Sequence, residues 1–192
     1  MRLAYLTVGT ILFSTSVLAY VLTGTYGIGN FNVNFRGETM ALISDTSDPS
    51  ETSDLYFSDD QDTSGKIVRT YVVEASPALD IDGPPRFPIT SVAFELNPDT
   101  QKLVPVRVLF AEKDWDTAWV ASAEIPRAKL KVTNLIFRKN GEISFDIKAE
   151  MVQMNFNTYK PVKDTPQQTL TGHYSGTFPD YALQYPREFG DY

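Results

Sequence analysis

Residues 128–153 read AKLKVTNLIFRKNGEISFDIKAEMVQ, and this stretch decides the fold class. Apolar and polar residues alternate on both sides of Asn140-Gly141, which is the pattern of a β-strand with one buried face. Asn-Gly is the residue pair that two-residue type I′ turns favour, because both of its residues tolerate positive φ. The stretch therefore predicts an antiparallel β-hairpin that turns at these two residues.

The register of this hairpin follows if Lys139 is set opposite Glu142. Apolar residues then face one another on one side of the hairpin, as cross-strand pairing requires. These pairs are Ile136 with Phe145, Val132 with Ala149, and Leu130 with Met151. The same register places Lys131 opposite Glu150, an attractive pair of opposite charges. One register thus satisfies both kinds of pair, and it predicts a hairpin with one face in the core.

The chain on either side of the hairpin also alternates with period two. Phe31, Val33 and Phe35 alternate with polar residues, which predicts a half-buried strand. Further strands are predicted at 39–44, 66–75, 89–96, 102–112, 118–125 and 167–178, whereas 45–64 is predicted to be an acidic loop. About nine short strands without a soluble helix predict an all-β fold. We expect an antiparallel β-sandwich or, alternatively, a closed up-and-down barrel.

The amino terminus has the composition of a membrane-directed segment. Residues 3–22 contain no charged side chain, and Arg2 precedes them. One interpretation is a signal peptide, with Val17 and Ala19 as the small residues before a cleavage site. The other is a single transmembrane anchor, because about 20 apolar residues cross a bilayer. Both predict an amino-terminal hydrophobic helix and an extracytoplasmic body, either anchored in an inner membrane facing the periplasm or secreted to the periplasm.

Four segments follow from these patterns. Residues 1–24 form the predicted signal peptide or anchor, and 25–29 a linker. Residues 30–178 form the predicted β-domain, and 179–192 an aromatic carboxy-terminal tail. Aromatic residues are unusually frequent in this tail, which favours docking on a sheet edge or a partner over a solvated end.

Composition excludes several classes of function. The 192 residues include 17 Lys and Arg and 24 Asp and Glu, giving a formal net charge of -7. This charge repels phosphate backbones, so we expect no nucleic-acid binding. The chain has no cysteine, which excludes thiolate metal sites and cysteine nucleophiles. His173 is the one histidine, so a centre with several histidines from one chain is excluded.

One stretch has the spacing of a calcium-binding loop. Asp60, Asp62 and Ser64 alternate as oxygen donors, and Gly65 follows where such loops turn sharply. Tyr71 occupies the position where a bidentate glutamate completes the ligand set. The sequence therefore suggests at most a weak Ca²⁺ site; the alternative interpretation is a solvated acidic hairpin loop. Calcium is the only cofactor that the sequence suggests.

Two tryptophans form a candidate ligand-binding site. Trp115 and Trp119 lie beside Asp114 and Asp116. Exposed aromatic rings stack on sugar rings while carboxylates accept hydrogen bonds from hydroxyl groups, which predicts glycan binding. The alternative interpretation buries Trp119 under the strand that follows it and leaves Trp115 capping the turn.

These observations favour a non-enzymatic extracytoplasmic β-domain that acts as an accessory or structural subunit of a membrane or envelope assembly. Its expected partners are a membrane-protein complex or envelope proteins, with residues 3–22 contacting the membrane if they are retained. The alternative is a ligand-binding module for an apolar ligand or a glycan, which an interior cavity of a few hundred Å³ would favour. A carboxylate-dependent hydrolase would need two facing acids in a cleft, one with a raised pKa.

Overall fold

The computed structural model describes residues 26–48, 52–61, 65–77, 87–97, 99–179 and 183. This part of the chain is all-β, as predicted. Its strands are β1 (Tyr26–Phe35), β2 (Glu38–Asp48), β3 (Thr52–Ser53), β4 (Leu55–Gln61), β5 (Ile67–Ala75), β6 (Ile89–Asn97), β7 (Lys102–Ala111), β8 (Thr117–Ser122), β9 (Lys129–Phe137), β10 (Glu142–Asn155), β11 (Lys160–Pro161) and β12 (Gln168–Thr177). No helix in the described ranges has the length and apolarity to cross a bilayer. The predicted amino-terminal helix lies outside these ranges.

The strands form one antiparallel sheet that is curled into a half-barrel. The order is β3-β2-β1-β12-β10-β8-β7-β6-β5-β4, with β9 and β11 also paired to β10. β10 connects the two parts of the curled sheet. Its residues 142–151 pair with β12, and its residues 152–155 pair with β8. The structure thus has one curled antiparallel sheet, a half-barrel, where the sequence predicts an antiparallel sandwich or, alternatively, a closed up-and-down barrel. β1 begins at Tyr26, within the predicted linker.

The two ends of the strand order meet at Asp54. This residue alone separates β3 from β4, and these are the strands at opposite ends of the order. Nearby, Ile43 of β2 and Ser76 after β5 exchange two backbone hydrogen bonds of 2.8 and 3.0 Å. We call the region of Ile43, Asp45, Asp54, Glu74 and Ser76 the seam. The predicted acidic loop at 45–64 is thus partly strand, and part of it joins the edges of the sheet.

Aromatic rings fill the space that the curled sheet encloses. Phe145 of β10 is fully buried, and its ring centroid lies 5.8 Å from Phe31, 5.0 Å from Phe94 and 5.3 Å from Tyr174. The ring of Tyr174 in turn occupies the space where a Cβ of Gly29 would lie. Phe145 therefore connects strands from opposite parts of the half-barrel, since Phe31 belongs to β1 and Phe94 to β6.

The hairpin exists, but its turn is not the predicted one. Gly141 has a φ of 83°, and Asn140 is not among the residues with positive φ. The N–H of Gly141 donates to the carbonyl of Arg138 (2.9 Å), and the N–H of Arg138 donates to the carbonyl of Glu142 (2.9 Å). These bonds close a three-residue loop with one left-handed glycine, instead of the two-residue type I′ turn.

The predicted register is consequently wrong. The three-residue loop puts Ile143 opposite Phe137, and a bulge opposite Phe145 shifts the pairing by one further residue. Asn134 lies in this bulge with a φ of 52°. Lys129, and not Lys131, is therefore the partner of Glu150, with the two charged groups 2.9 Å apart.

Gly141→Ala is expected to lower the free energy of unfolding by about 2 kcal/mol. Alanine would be strained at this φ, and its Cβ would lie 2.5 Å from the carbonyl oxygen of Phe178. Gly37 has a φ of 84° with open space around it, so Gly37→Ala should cost only the backbone strain of about 1 kcal/mol. Urea unfolding of both variants measures the difference. Equal losses would contradict the contribution of the Phe178 contact.

Candidate functional site

A cavity of about 650 Å³ opens where β5, β6 and the end of β9 come together. We call it the basic pocket. Of the described side chains that line it, three are cationic and most of the others are apolar or aromatic. These described lining residues are Arg69, Tyr71, Leu96, Gln101, Phe137, Arg138, Lys139 and Leu183. In a chain with a net charge of -7, this is a local concentration of positive charge.

The apolar wall of the basic pocket is built on three packed aromatic rings. Tyr71 of β5 lies 5.2 Å from Phe137 at the end of β9 and 5.2 Å from Phe178 after β12. Phe137 and Phe178 are 6.0 Å apart in an edge-on arrangement. Because these rings come from three separate elements and support one another, the wall is held in place without a ligand.

Arg69 is the buried cation of the basic pocket. Its side chain is 3% exposed, and its Nε and Nη2 atoms donate to the two carboxylate oxygens of Asp59 at 2.7 Å each. The guanidinium also lies 3.9 Å from the ring centroid of Phe57. Burial opposes the charged form, but the hydrogen bonds with Asp59 and Tyr71 outweigh burial, and the pKa of Arg69 is raised. The position and the charge of this group are therefore fixed.

Arg138 and Lys139 form the exposed side of the basic pocket. Arg138 donates from Nη1 to Glu142 at 2.6 Å. Lys139 makes no ion pair within the part of the chain that the structure describes. With Asp59 paired to Arg69 and Glu142 paired to Arg138, the described lining residues and their ion-pair partners carry one positive charge in excess.

The seam is a second cluster of ionisable groups. The carboxylate of Asp54 accepts a hydrogen bond from the N–H of Asp45 (2.8 Å), and its carbonyl accepts one from the N–H of Glu74 (2.7 Å). Burial raises the pKa of Asp54 to about 6; the N–H of Asp45 opposes this rise, and the charge of Asp45 adds to it. Burial and the charge of Asp54 also raise the pKa of Glu74.

A buried tyrosine connects the seam to the core. The hydroxyl of Tyr174 donates to Ser44 Oγ (3.2 Å), which donates to the carbonyl of Glu74. Burial raises the pKa of Tyr174. Asp54 thus meets one condition set for a carboxylate-dependent hydrolase, a raised pKa, but the seam carboxylates do not line the basic pocket. Their hydrogen bonds hold β2, β5 and the β3–β4 junction together, which is a structural role.

Of the three predicted calcium ligands, only Asp60 belongs to the residues that the structure describes. Asp60 is exposed on β4, where Ser58 Oγ lies 3.5 Å from its Oδ2. Asp62 and Ser64 lie outside the described residues. Within the described ranges, no group of three or more acidic or histidine side chains is arranged to hold a metal ion. Calcium binding therefore stays a prediction.

The two tryptophans have different environments. Trp115 is 45% exposed, with Phe87 edge-on at 5.8 Å. Trp119 is 1% exposed, and its Nε1 donates to Glu112 at 2.7 Å. The guanidinium of Arg36 lies 4.8 Å from the Trp119 ring and pairs with the same carboxylate at 2.9 Å. Burial of Trp119 agrees with the structural interpretation, whereas glycan stacking on Trp115 stays a prediction.

One weak signal for the basic pocket is present in the sequence, although the alternation pattern alone does not reveal it. Arg69 interrupts the apolar run of residues 67–75, so a charge is placed within a strand that is otherwise largely buried. Such a residue needs a partner, and this need points to a special environment. Arg138 and Lys139 lie in a turn where positive charge is ordinary, so no local pattern marks them.

No protein-family model, curated protein or solved structure matches this chain. The basic pocket combines a sizeable volume, an apolar wall and a few fixed polar groups. These are the general properties of small-molecule binding sites.

Proposed function

We propose that this chain is a ligand-binding protein and that the basic pocket is its binding site. The observation that carries the proposal is the cavity of about 650 Å³. Small-molecule sites are clefts of about 300 to 1,000 Å³, lined mainly by apolar and aromatic side chains with a few placed polar groups. The sequence offers a ligand-binding module as its alternative, which an interior cavity of a few hundred Å³ would favour. The basic pocket has a volume of this order and is open on one side, and it supports a ligand-binding role.

Preorganisation of the lining supports the same function. Arg69 is held by Asp59 and Phe57, and the aromatic wall packs against itself. A site whose side chains are already ordered loses little conformational entropy when a ligand enters, which favours affinity. These contacts make the pocket a better candidate site than the exposed ring of Trp115.

The predicted extracytoplasmic location of the protein is the last part of the proposal. Residues 3–22 would deliver the domain to the extracytoplasmic side, as an anchored or a secreted protein. A role as accessory subunit of an envelope assembly is compatible with ligand binding. Amino-terminal sequencing of the purified protein distinguishes the two forms, since a start at Tyr20 indicates cleavage and a start at Met1 indicates retention. A pull-down in mild detergent tests the assembly, which a lone monomer would contradict.

Leu96→Trp is expected to weaken ligand binding at least about tenfold, because an indole at this position on β6 fills part of the basic pocket. The test titrates the full-length protein with three probes of equal chain length, decanol, decanoate and decylamine, by isothermal calorimetry. We expect at least one probe to bind the parent protein and to bind Leu96→Trp at least about tenfold more weakly.

Val104→Trp is the matched control for this experiment. Val104 lies on the neighbouring strand β7, is 46% exposed and does not line the pocket. We expect this variant to bind as the parent does. Binding of none of the three probes to the parent would overturn the proposed function, and equal binding to Leu96→Trp would place the site elsewhere.

A further inference from the structure

We infer that the ligand of the basic pocket is an amphipathic monoanion, with a single acidic group at one end of an apolar body. This inference rests on the proposed function, and it adds the chemical class of the ligand. It follows from the positions of the cationic side chains, from their pairing and from the composition of the wall opposite them.

The cations provide a fixed and a mobile part of an anion site. Arg69 lines the pocket and is locked by its two bonds to Asp59, so the N–H donors that Asp59 and Tyr71 leave over have a constant direction. Lys139 is exposed and has no ion-pair partner in the described ranges, so its ammonium group is available to a ligand. Hydrogen bonds between a charged donor and a carboxylate are about twice as strong as neutral ones. An anionic head is therefore the group that these residues recognise best.

The charge balance of the described lining indicates how many charges the ligand carries. Asp59 neutralises Arg69 and Glu142 neutralises Arg138, so Lys139 is the uncompensated cation among the described residues that line the pocket. One negative charge on the ligand completes the balance. A polyanion would extend beyond the pocket and meet the repulsion of a chain with a net charge of -7.

The remaining lining selects an apolar body. Leu96, Phe137 and Leu183 pack against the hydrophobic core from the pocket side. Apolar ligand surface that covers them is removed from water, and each buried CH₂ group contributes about 0.8 kcal/mol. A small inorganic anion would leave this wall uncovered. The combination of a cationic rim with an apolar wall therefore favours an amphiphile over phosphate or sulfate alone.

The ranking of the three probes tests the charge of the ligand. We expect decanoate to bind the parent protein at least about tenfold more tightly than decanol, and decylamine to bind most weakly. Sodium chloride at about 0.5 M should weaken the binding of decanoate and leave that of decanol unchanged, because the ion pair is partly exposed. Inorganic phosphate should not compete with decanoate.

Lys139→Gln should weaken the binding of decanoate about tenfold and leave that of decanol unchanged. Lys131→Gln is the matched control, because it removes an equal charge from an exposed position on β9 that does not line the pocket. It should bind both probes as the parent does. Equal affinities for decanoate and decanol, or equal losses in both lysine variants, would overturn the monoanion while the proposed function stands. If none of the probes binds, the proposed function itself fails.

Discussion

Phe145→Ala is expected to lower the free energy of unfolding by about 3 to 5 kcal/mol, the usual loss when a buried phenylalanine is truncated. Phe145 is fully buried and contacts the rings of Phe31, Phe94 and Tyr174. These rings come from β1, β6 and β12, so relaxation around the cavity would have to move several strands at once. When the surrounding residues cannot move in to fill the cavity, the destabilisation due to the cavity is not reduced. We therefore expect the loss in the free energy of unfolding to lie in the upper half of the range.

The measurement is urea unfolding of the purified full-length protein, followed by tryptophan fluorescence, to which the buried Trp119 contributes. Tyr159→Ala is the control, because Tyr159 is 81% exposed and its truncation should change the stability by less than about 0.5 kcal/mol. A loss below about 1 kcal/mol for Phe145→Ala would contradict the aromatic cluster as the centre of the core. A change in the denaturant slope would instead indicate that the unfolding is no longer two-state.

Alternation of apolar residues predicted the strands because burial on one face of a sheet has a period of two. Phe31, Val33 and Phe35 were placed on one face, and all three are buried. The hairpin at residues 128–153 was likewise correct in kind. These features are local, so the sequence carries them directly.

The alternation of apolar residues does not determine the register of the hairpin. Val132 was expected opposite Ala149 and lies opposite Ile147. Both partners are apolar and lie on the same face, since a shift of two residues preserves the alternation. Apolar pairing therefore could not distinguish the two registers. The choice is made by the left-handed conformations at Gly141 and Asn134, whose preference for a bulge over a type I′ turn depends on packing against Phe178 and the neighbouring strands.

The candidate site could not be predicted for a different reason. Arg69 and Lys139 are far apart in the chain, and only the curling of the sheet brings β5 next to the end of β9. The same holds for the seam, because Asp45 and Asp54 belong to a stretch whose composition suggested a solvated loop. Composition reports average exposure, whereas Asp45 is buried and Asp54 is partly buried where the two ends of the sheet meet.

The seam makes the stability of the protein depend on pH through Asp54. Its pKa is about 6 in the folded protein and 3.8 in an unfolded chain, so the folded state binds a proton more tightly. Stability from this group is complete below about pH 4 and is lost as the pH rises to about 6, where the carboxylate becomes charged in the fold. The raised pKa of Glu74 acts in the same direction. At neutral pH, the charged carboxylates of Asp54 and Glu74 therefore destabilise the fold at the seam.

Asp54→Asn is expected to raise the free energy of unfolding at pH 7 by about 2 to 3 kcal/mol and to flatten its decline between about pH 4 and 6. The pKa difference sets the upper value, and partial exposure of the side chain lowers it. An asparagine oxygen can still accept the hydrogen bond from the N–H of Asp45, so the seam keeps its geometry while it loses a charge. Urea unfolding of both proteins at intervals across this range gives the two profiles.

Glu124→Gln removes an exposed carboxylate from the β8–β9 connection and should reproduce the parent profile. Parallel profiles for Asp54→Asn and the parent protein would show that Asp54 is not held neutral in the fold, and would remove the seam as the source of the pH dependence.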